Sequence, residues 1–251
     1  MPVGGADDRG FQTFERAAEE GIDRMQPFEI KREIYIVGGP DITDPRDGCV
    51  YALDLGELIL IDSGAGWSVD QIVRNTEKLG LDPNRLGRIL LTHCHIDHIG
   101  GAPELRRRFG AKVYIHQLDA PPLESGDPTL TAATWYKTSF PPSQVDVKFQ
   151  HSKETLQIGH ERIVCLHTPG HTPGSISIYL DRDGKRVLFA QDLHGPLLEE
   201  FGSSLDDWDR STQALLALEA DILCEGHFGI YDTKKKVRDY IHSYRRQYGV
   251  E

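Results

Sequence analysis

The stretch THCHIDHIGG, residues 92–101, places three histidines and an aspartate within six residues, directly after the apolar run RILL. In extended backbone alternate side chains share a face, so His93, His95 and Asp97 project together, and His98 adds a fourth donor beside them. Imidazole nitrogens and carboxylates suit a borderline divalent ion such as zinc or iron. Four ligands exceed the need of one tetrahedral site with an open position, so the stretch predicts two metal ions.

Two metal ions need more ligands, and the best candidates are polar residues at the ends of predicted strands, where loops stand on a rigid scaffold. His171 lies in HTPGHTPGS after the strand RIVCLHT, Asp192 ends RVLFAQD, and His227 follows DILCEG. The glycines of HTPGHTPGS permit a tight path for the backbone. These three residues are therefore predicted to complete the metal centre.

Composition limits the class of protein. With 251 residues, 39% of them hydrophobic, the chain can bury one full core. The net charge of -11 repels phosphate backbones and anionic lipid heads, which argues against nucleic acid and membranes as partners. The sequence shows neither an apolar run near the ~20 residues of a membrane helix nor a signal peptide. We therefore expect a cytoplasmic protein, and four cysteines without a CxxC pair suit a reducing compartment.

Strand and helix patterns alternate along the chain. Apolar β-rich segments begin near residues 33, 49 and 57, and a helix with the capping-box pattern SVDQ starts at Ser68. A strand then leads into the metal motif. Beyond it we expect a helix closed by Gly110, five strands, and two helices at about 205–220 and 233–248. This order predicts an α/β fold.

Two segments stand apart from this pattern. Residues 1–28 carry apolar side chains at helical spacing and are expected to form a helical N-terminal extension ahead of a domain over 29–251. An apolar helix there would also suit a homodimer. Residues 118–145 form a long proline-rich connection with Trp135, Tyr136 and Phe140, and connections of this length are typical of lids and pocket loops.

Five features together resemble the metallo-β-lactamase superfamily: HxHxDH after a strand, TPGHTPGS, a strand-ending aspartate, a late GH and a preceding LILIDSG. The resemblance covers about residues 56–227. It implies a four-layer αβ/βα sandwich, with two central mixed β-sheets and helices on the outer faces. Zinc is the expected metal, with iron as the alternative. The implied ligands are His93, His95 and His171 for a first ion, Asp97, His98 and His227 for a second, and Asp192 as a bridge.

The same resemblance implies a dinuclear metal-dependent hydrolase that acts on a small acyl substrate, an ester, thioester or lactone, through a hydroxide held between the ions. Asp97 is the expected catalytic residue, since it would orient the hydroxide and take up a proton. Asp62, at the end of LILID, is expected either to orient a ligand histidine or to cap the turn at Gly64. His194 lies two residues past Asp192 and is a candidate for substrate contact.

Three other functions remain open on the sequence. A persulfide dioxygenase-like enzyme shares the motif and holds one iron through positions that match His93, His171 and Asp192. A ribonuclease Z-like nuclease also shares it, although the acidic balance and the missing basic arm argue against RNA. A metal-binding protein without catalysis would keep the fold for sensing or for a partner. Metal identity and oxygen uptake with a glutathione persulfide separate the first alternative from a zinc hydrolase.

Overall fold

The computed structural model describes residues 25–251 as two β-sheets packed face to face, with helices on both outer faces. The predicted α/β sandwich with four layers is therefore confirmed. Most of the predicted N-terminal extension, residues 1–24, lies outside the described part of the chain. The described chain then enters its first strand at Phe28.

The first sheet has seven strands in chain order, antiparallel from β1 to β4 and parallel from β4 to β7. The parallel part places the ends of β4, β5 and β6 at the same edge of the sheet. The strands are β1 (Phe28–Lys31), β2 (Ile34–Gly38), β3 (Val50–Asp54), β4 (Leu58–Ile61), β5 (Leu86–Leu90), β6 (Lys112–His116) and β7 (Val147–Phe149).

The second sheet has six strands in the order β13-β12-β11-β10-β9-β8, and only the pair of β11 and β12 is parallel within the described chain. The turn at Asp183 and Gly184 joins β10 to β11. The strands are β8 (Lys153–Ile158), β9 (Glu161–His167), β10 (Ile176–Arg182), β11 (Lys185–Phe189), β12 (Ile222–Cys224) and β13 (Ile230–Tyr231).

The helices flank the sheets, and none of those in the described chain is both long and apolar enough to span a bilayer. Gly110 ends α3 in the left-handed conformation, as predicted. Two short 3-10 helices lie at Pro83–Arg85 and Glu199–Phe201. The α-helices are α1 (Val69–Lys78), α2 (Ile96–Ile99), α3 (Ala102–Phe109), α4 (Ala120–Ser125), α5 (Leu205–Ala217) and α6 (Lys234–Gln247).

Strict alternation of side chains along the strands divides the core into three apolar layers. In β4, Ile59 and Ile61 face the second sheet, whereas Leu58 and Leu60 face the helices α1 to α3. The third layer packs Leu188 and its neighbours against α5 and α6. Because both sheets are covered on both faces, polar loops emerge only at the sheet edges, where the candidate site lies.

The predicted capping box at the start of α1 is wrong. Ser68 occupies the N-cap position but makes no side-chain cap. Its hydroxyl instead donates to the buried carboxylate of Asp47, which also accepts from Thr43 Oγ1 and the Ala65 N–H, at 2.5 and 2.8 Å. A buried acceptor competes successfully for the hydroxyl because it would otherwise lose one of its hydrogen bonds.

Candidate metal centre

Strand ends from both sheets bring the seven predicted ligands to one edge of the sandwich. The motif follows β5, with α2 beginning inside it, and the other three residues follow β9, β11 and β12. Asp192 adopts a left-handed conformation with φ of 54°, which a non-glycine residue adopts at an energetic cost. Two clusters of possible metal ligands result, His93, His95, His171 and Asp192 in the first, and Asp97, His98, Asp192 and His227 in the second.

Asp192 presents one carboxylate oxygen to each cluster. Its Oδ2 lies 3.5 Å from His171 Nε2 and 3.7 Å from His93 Nε2. Its Oδ1 lies 3.3 Å from the Nε2 atoms of both His98 and His227. Asp97 Oδ2 closes the second cluster at 3.2 Å from His227 and 3.3 Å from His98. A carboxylate placed in this way can bridge two cations.

Three of the histidines have their Nδ1 atoms occupied and turn Nε2 toward the clusters. His98 Nδ1 lies 2.8 Å from Asp62 Oδ2, and His171 Nδ1 lies 2.9 Å from the Pro196 carbonyl oxygen. His93 Nδ1 lies 3.1 Å from Thr92 Oγ1. A partner at one ring nitrogen fixes the orientation and tautomer of a metal-ligating histidine.

Buried donor atoms without partners show that these residues fit a metal ion. His93 Nε2, His98 Nε2 and Asp192 Oδ1 are buried and have no hydrogen-bond partner within residues 25–251. Leaving such groups unsatisfied is expensive, and buried polar atoms in proteins are generally paired. Glycines also make room for the ligands, since a Cβ on Gly226 would lie 2.3 Å from Asp192 Oδ1.

The first cluster favours neutral imidazoles. Burial, followed by repulsion from the other histidines, lowers the pKa of His93 well below its usual value and that of His95 to about 3. Burial likewise lowers the pKa of His171. A neutral imidazole has a free lone pair, so this cluster is ready to bind a cation without first losing protons.

The second cluster favours positive charge between its carboxylates. Burial opposes ionisation of Asp97 and Asp192, but His98 and His227 outweigh it and hold the pKa of both carboxyls well below the usual value. Burial lowers the pKa of His227, yet Asp192 and Asp97 raise it to about 10. A site that stabilises the added protons of His98 and His227 in this way also stabilises a divalent cation that binds in place of those protons.

Asp62 is fully buried behind the second cluster. Besides His98 it accepts hydrogen bonds from the Thr92 N–H at 2.8 Å and the Thr92 hydroxyl at 2.7 Å. The carboxylate therefore orients His98 and the first residue of the motif at the same time. Of the two roles considered for Asp62, these contacts match the orientation of a ligand histidine.

His194 lies beside the second cluster and is held by an acid that the sequence analysis did not single out. Its Nδ1 lies 3.1 Å from Oε1 of Glu225, which is fully buried. Glu225 Oε2 accepts the backbone N–H groups of His227 and Phe228, at 2.7 and 3.0 Å. The one sequence signal for Glu225 is its position directly after the apolar strand ILC. The Phe228 ring packs 4.7 Å from the His194 ring and is exposed.

Residues 118–145 contact the metal motif directly. The Ile96 N–H donates to the Thr131 carbonyl at 2.7 Å. Burial, and then the nearby carboxylates of Asp97 and Asp192, raise the pKa of the Tyr136 phenol well above its usual value, so this phenol lies near the second cluster. The Trp135 ring packs 5.1 Å from Phe201, whose ring lies 4.5 Å from His95.

Comparison with known proteins decides the family. The sequence model of the metallo-beta-lactamase superfamily matches residues 48–227. The chain belongs to this superfamily. A probable metallo-hydrolase of Bacillus subtilis is 30% identical over 212 residues, which cover 72% of this chain and 78% of that protein. Membership and this relative identify the chain as a metal-dependent hydrolase.

Other members of the superfamily are similar over most of their length. A hydroxyacylglutathione hydrolase of Haemophilus influenzae is 28% identical over 192 residues, 69% of this chain and 81% of its own. The structure of a B3 metallo-beta-lactamase with an active site glutamic acid superposes with a TM-score of 0.77 at 27% identity, covering 92% of this chain and 91% of that one. A metallo-beta-lactamase from Cronobacter sakazakii gives 0.75 at 26% identity, covering 89% and 96%.

Proposed function

We propose that this protein is a dinuclear zinc hydrolase of a small ester, thioester or lactone. The observation that supports the dinuclear centre most strongly is that Asp192 directs one carboxylate oxygen to each cluster. Beside it lie the buried Nε2 atoms of His93 and His98, which have no hydrogen-bond partner within residues 25–251. His93, His95 and His171 would hold one ion, and Asp97, His98 and His227 the other. When bound, the ions would supply a hydroxide near neutral pH and polarise the substrate carbonyl.

In this proposal Asp97 orients the attacking water and takes up its proton. Its carboxylate is buried and ionised beside His98 and His227. An ionised carboxylate at this point can accept a hydrogen bond from the water, hold its orientation, and take the proton when the acyl bond breaks. Burial among protein groups keeps bulk water from competing for these contacts.

Aromatic side chains beside the centre favour a small substrate with an apolar part. Phe228 and Tyr136 lie next to the second cluster, and Trp135 packs on Phe201 next to the first. The name of the Haemophilus influenzae relative, a hydroxyacylglutathione hydrolase, supports placing thioesters among the candidates. Of these rings, that of Phe228 is exposed and offers apolar area to an acyl chain or an aromatic leaving group.

The proposal is tested with a panel of aryl esters, acyl thioesters and lactones. Protein stripped with a chelator is expected to lose hydrolysis, and addition of zinc is expected to restore it for at least one substrate class. Oxygen uptake is followed in parallel with a glutathione persulfide and iron-loaded protein. Hydrolysis that survives complete removal of metal, or oxygen uptake in place of hydrolysis, contradicts the proposal.

His194 is expected to accept a hydrogen bond or a proton from the reacting groups at Nε2, since the Glu225 carboxylate accepts its Nδ1–H. His194→Ala should therefore lower kcat by about 10²-fold, the low end for a positioned base, while the zinc content stays at the wild-type value. The control is His160→Ala, which removes an exposed histidine from the turn between β8 and β9. A kcat for His194→Ala equal to that of the control would remove His194 from the reaction.

A further inference from the structure

Asp119 is a buried carboxylate outside both metal clusters, placed between β6 and α4 with 1% of its surface exposed. It accepts hydrogen bonds from the Cys94 N–H at 3.0 Å and the Gly174 N–H at 2.7 Å. The Thr172 hydroxyl donates a third bond at 2.7 Å. Burial raises the pKa of the Asp119 carboxyl, and the hydrogen bonds from these three residues oppose that rise. Neutral donors therefore stabilise its charge.

These three donors belong to the two loops that supply the first cluster. Cys94 stands between His93 and His95, and Thr172 follows His171 directly. One carboxylate therefore joins the backbone of the motif to the backbone of HTPGHTPGS, across a separation of 53 residues between Asp119 and Thr172. A change in the distance between these loops would move His171 relative to the other two histidines.

The contact has almost no space for adjustment. A Cβ on Gly174 would lie 2.4 Å from Asp119 Oδ1, so this glycine is needed for the approach of the carboxylate. Thr172 Oγ1 also lies 2.7 Å from Ser175 Oγ, which ties the loop to itself. Without the carboxylate, the buried N–H groups of Cys94 and Gly174 would be left unsatisfied, which destabilises this arrangement of the loops.

We infer that Asp119 is a positioning residue for the first metal ion: it fixes the distance between the two ligand loops and thereby sets the affinity for that ion. The inference rests on the metal centre proposed above. Both carboxylate oxygens face a backbone N–H, Oδ2 that of Cys94 and Oδ1 that of Gly174. In Asp119→Asn the amide NH2 must oppose one of these donors, so the loops are pushed apart while the side-chain volume is unchanged.

The experiment measures zinc affinity of the full chain by competition with a chromophoric chelator. Wild type is expected to bind two ions, and His171→Ala identifies the ion held by the first cluster by weakening it. Asp119→Asn should weaken the same ion by about 10–100-fold, as loss of a partner behind the ligands does, and change the other by less than about threefold. Turnover of the variant should recover when zinc is raised above the weakened affinity.

Asp47→Ala is the matched control, because it removes another fully buried carboxylate that accepts three hydrogen bonds. It should lower the melting temperature but leave the affinity for the ion of the first cluster unchanged. Equal weakening of that ion by Asp47→Ala, or wild-type affinity in Asp119→Asn, would overturn the inference alone. A wild-type chain that binds no zinc would overturn the proposed centre and this inference together.

Discussion

Asp192→Ala is expected to abolish hydrolysis and to empty both metal positions. Asp192 belongs to both the first and the second cluster, with Oδ1 3.3 Å from His98 and Oδ2 3.5 Å from His171. Its loss leaves the first cluster without a carboxylate and brings the second down to one. If the ions supply about 4 kcal/mol or more of transition-state stabilisation, kcat/KM falls by about 10³-fold or more.

The measurement combines kcat/KM on the best substrate of the panel with zinc content per chain. Asp206→Ala serves as the control, since it removes an exposed acid from the first turn of α5, far from any ligand in sequence. That control should keep its zinc and its activity. An Asp192→Ala protein that retains both would refute the assignment of this residue as the bridge.

Gly100→Ala is expected to lower the free energy of unfolding strongly, although it replaces no proposed ligand. Gly100 follows α2 with φ of −58°, so its backbone conformation suits alanine and the cost is steric alone. The added Cβ would lie 2.3 Å from the backbone carbonyl carbon and oxygen of Ala65. Because the obstacle is backbone rather than a flexible side chain, we expect a loss of about 3 kcal/mol in the free energy of unfolding.

Urea unfolding of the metal-free protein gives this value directly, and Gly110→Ala is the comparison. Gly110 has a φ of 71°, and a methyl group added there would meet nothing within 4 Å, so only backbone strain of about 1 kcal/mol is expected. The steric account fails if the two variants unfold at the same urea concentration. It also predicts that the motif loses metal in Gly100→Ala, since Gly100 directly follows Ile99 of α2.

The layered fold could be predicted from local sequence patterns, because each buried strand contains enough apolar residues to be recognised without its neighbours. The strands β2 to β6 and β9 to β12, and the helix ended by Gly110, follow this rule. Strands that the sequence analysis missed are of two kinds. β8 (KETLQI) is an edge strand with mostly polar side chains, and β1, β7 and β13 have four, three and two residues. Their pairing depends on neighbours distant in the chain.

Helix α4 was missed for a different reason. Its sequence APPLES contains Pro121 and Pro122, which as a pair favour a loop. Both prolines fall in the first turn of the helix, where a missing N–H costs nothing because that turn has no intrahelical acceptors for it. Position within the helix, rather than composition, therefore decided the structure of this segment.

The candidate ligands were predictable because their spacing is local, whereas the groups that support them were not. Three histidines within six residues mark the motif without any knowledge of the fold. Asp119, Asp47 and Glu225 each act on residues brought near by the tertiary structure, and of the three only Glu225 has a local signal, its place directly after the apolar strand ILC. Their roles follow from hydrogen bonds between distant segments.

The measurement that tests the central claim most directly is the metal content of protein purified without added metal, by elemental mass spectrometry against chain concentration. Two clusters that share Asp192 predict about two zinc ions per chain. About one iron ion per chain, with the second cluster empty, would contradict a dinuclear hydrolase and favour the mononuclear dioxygenase. A chain without bound metal that also takes up none on titration would contradict the metal centre itself.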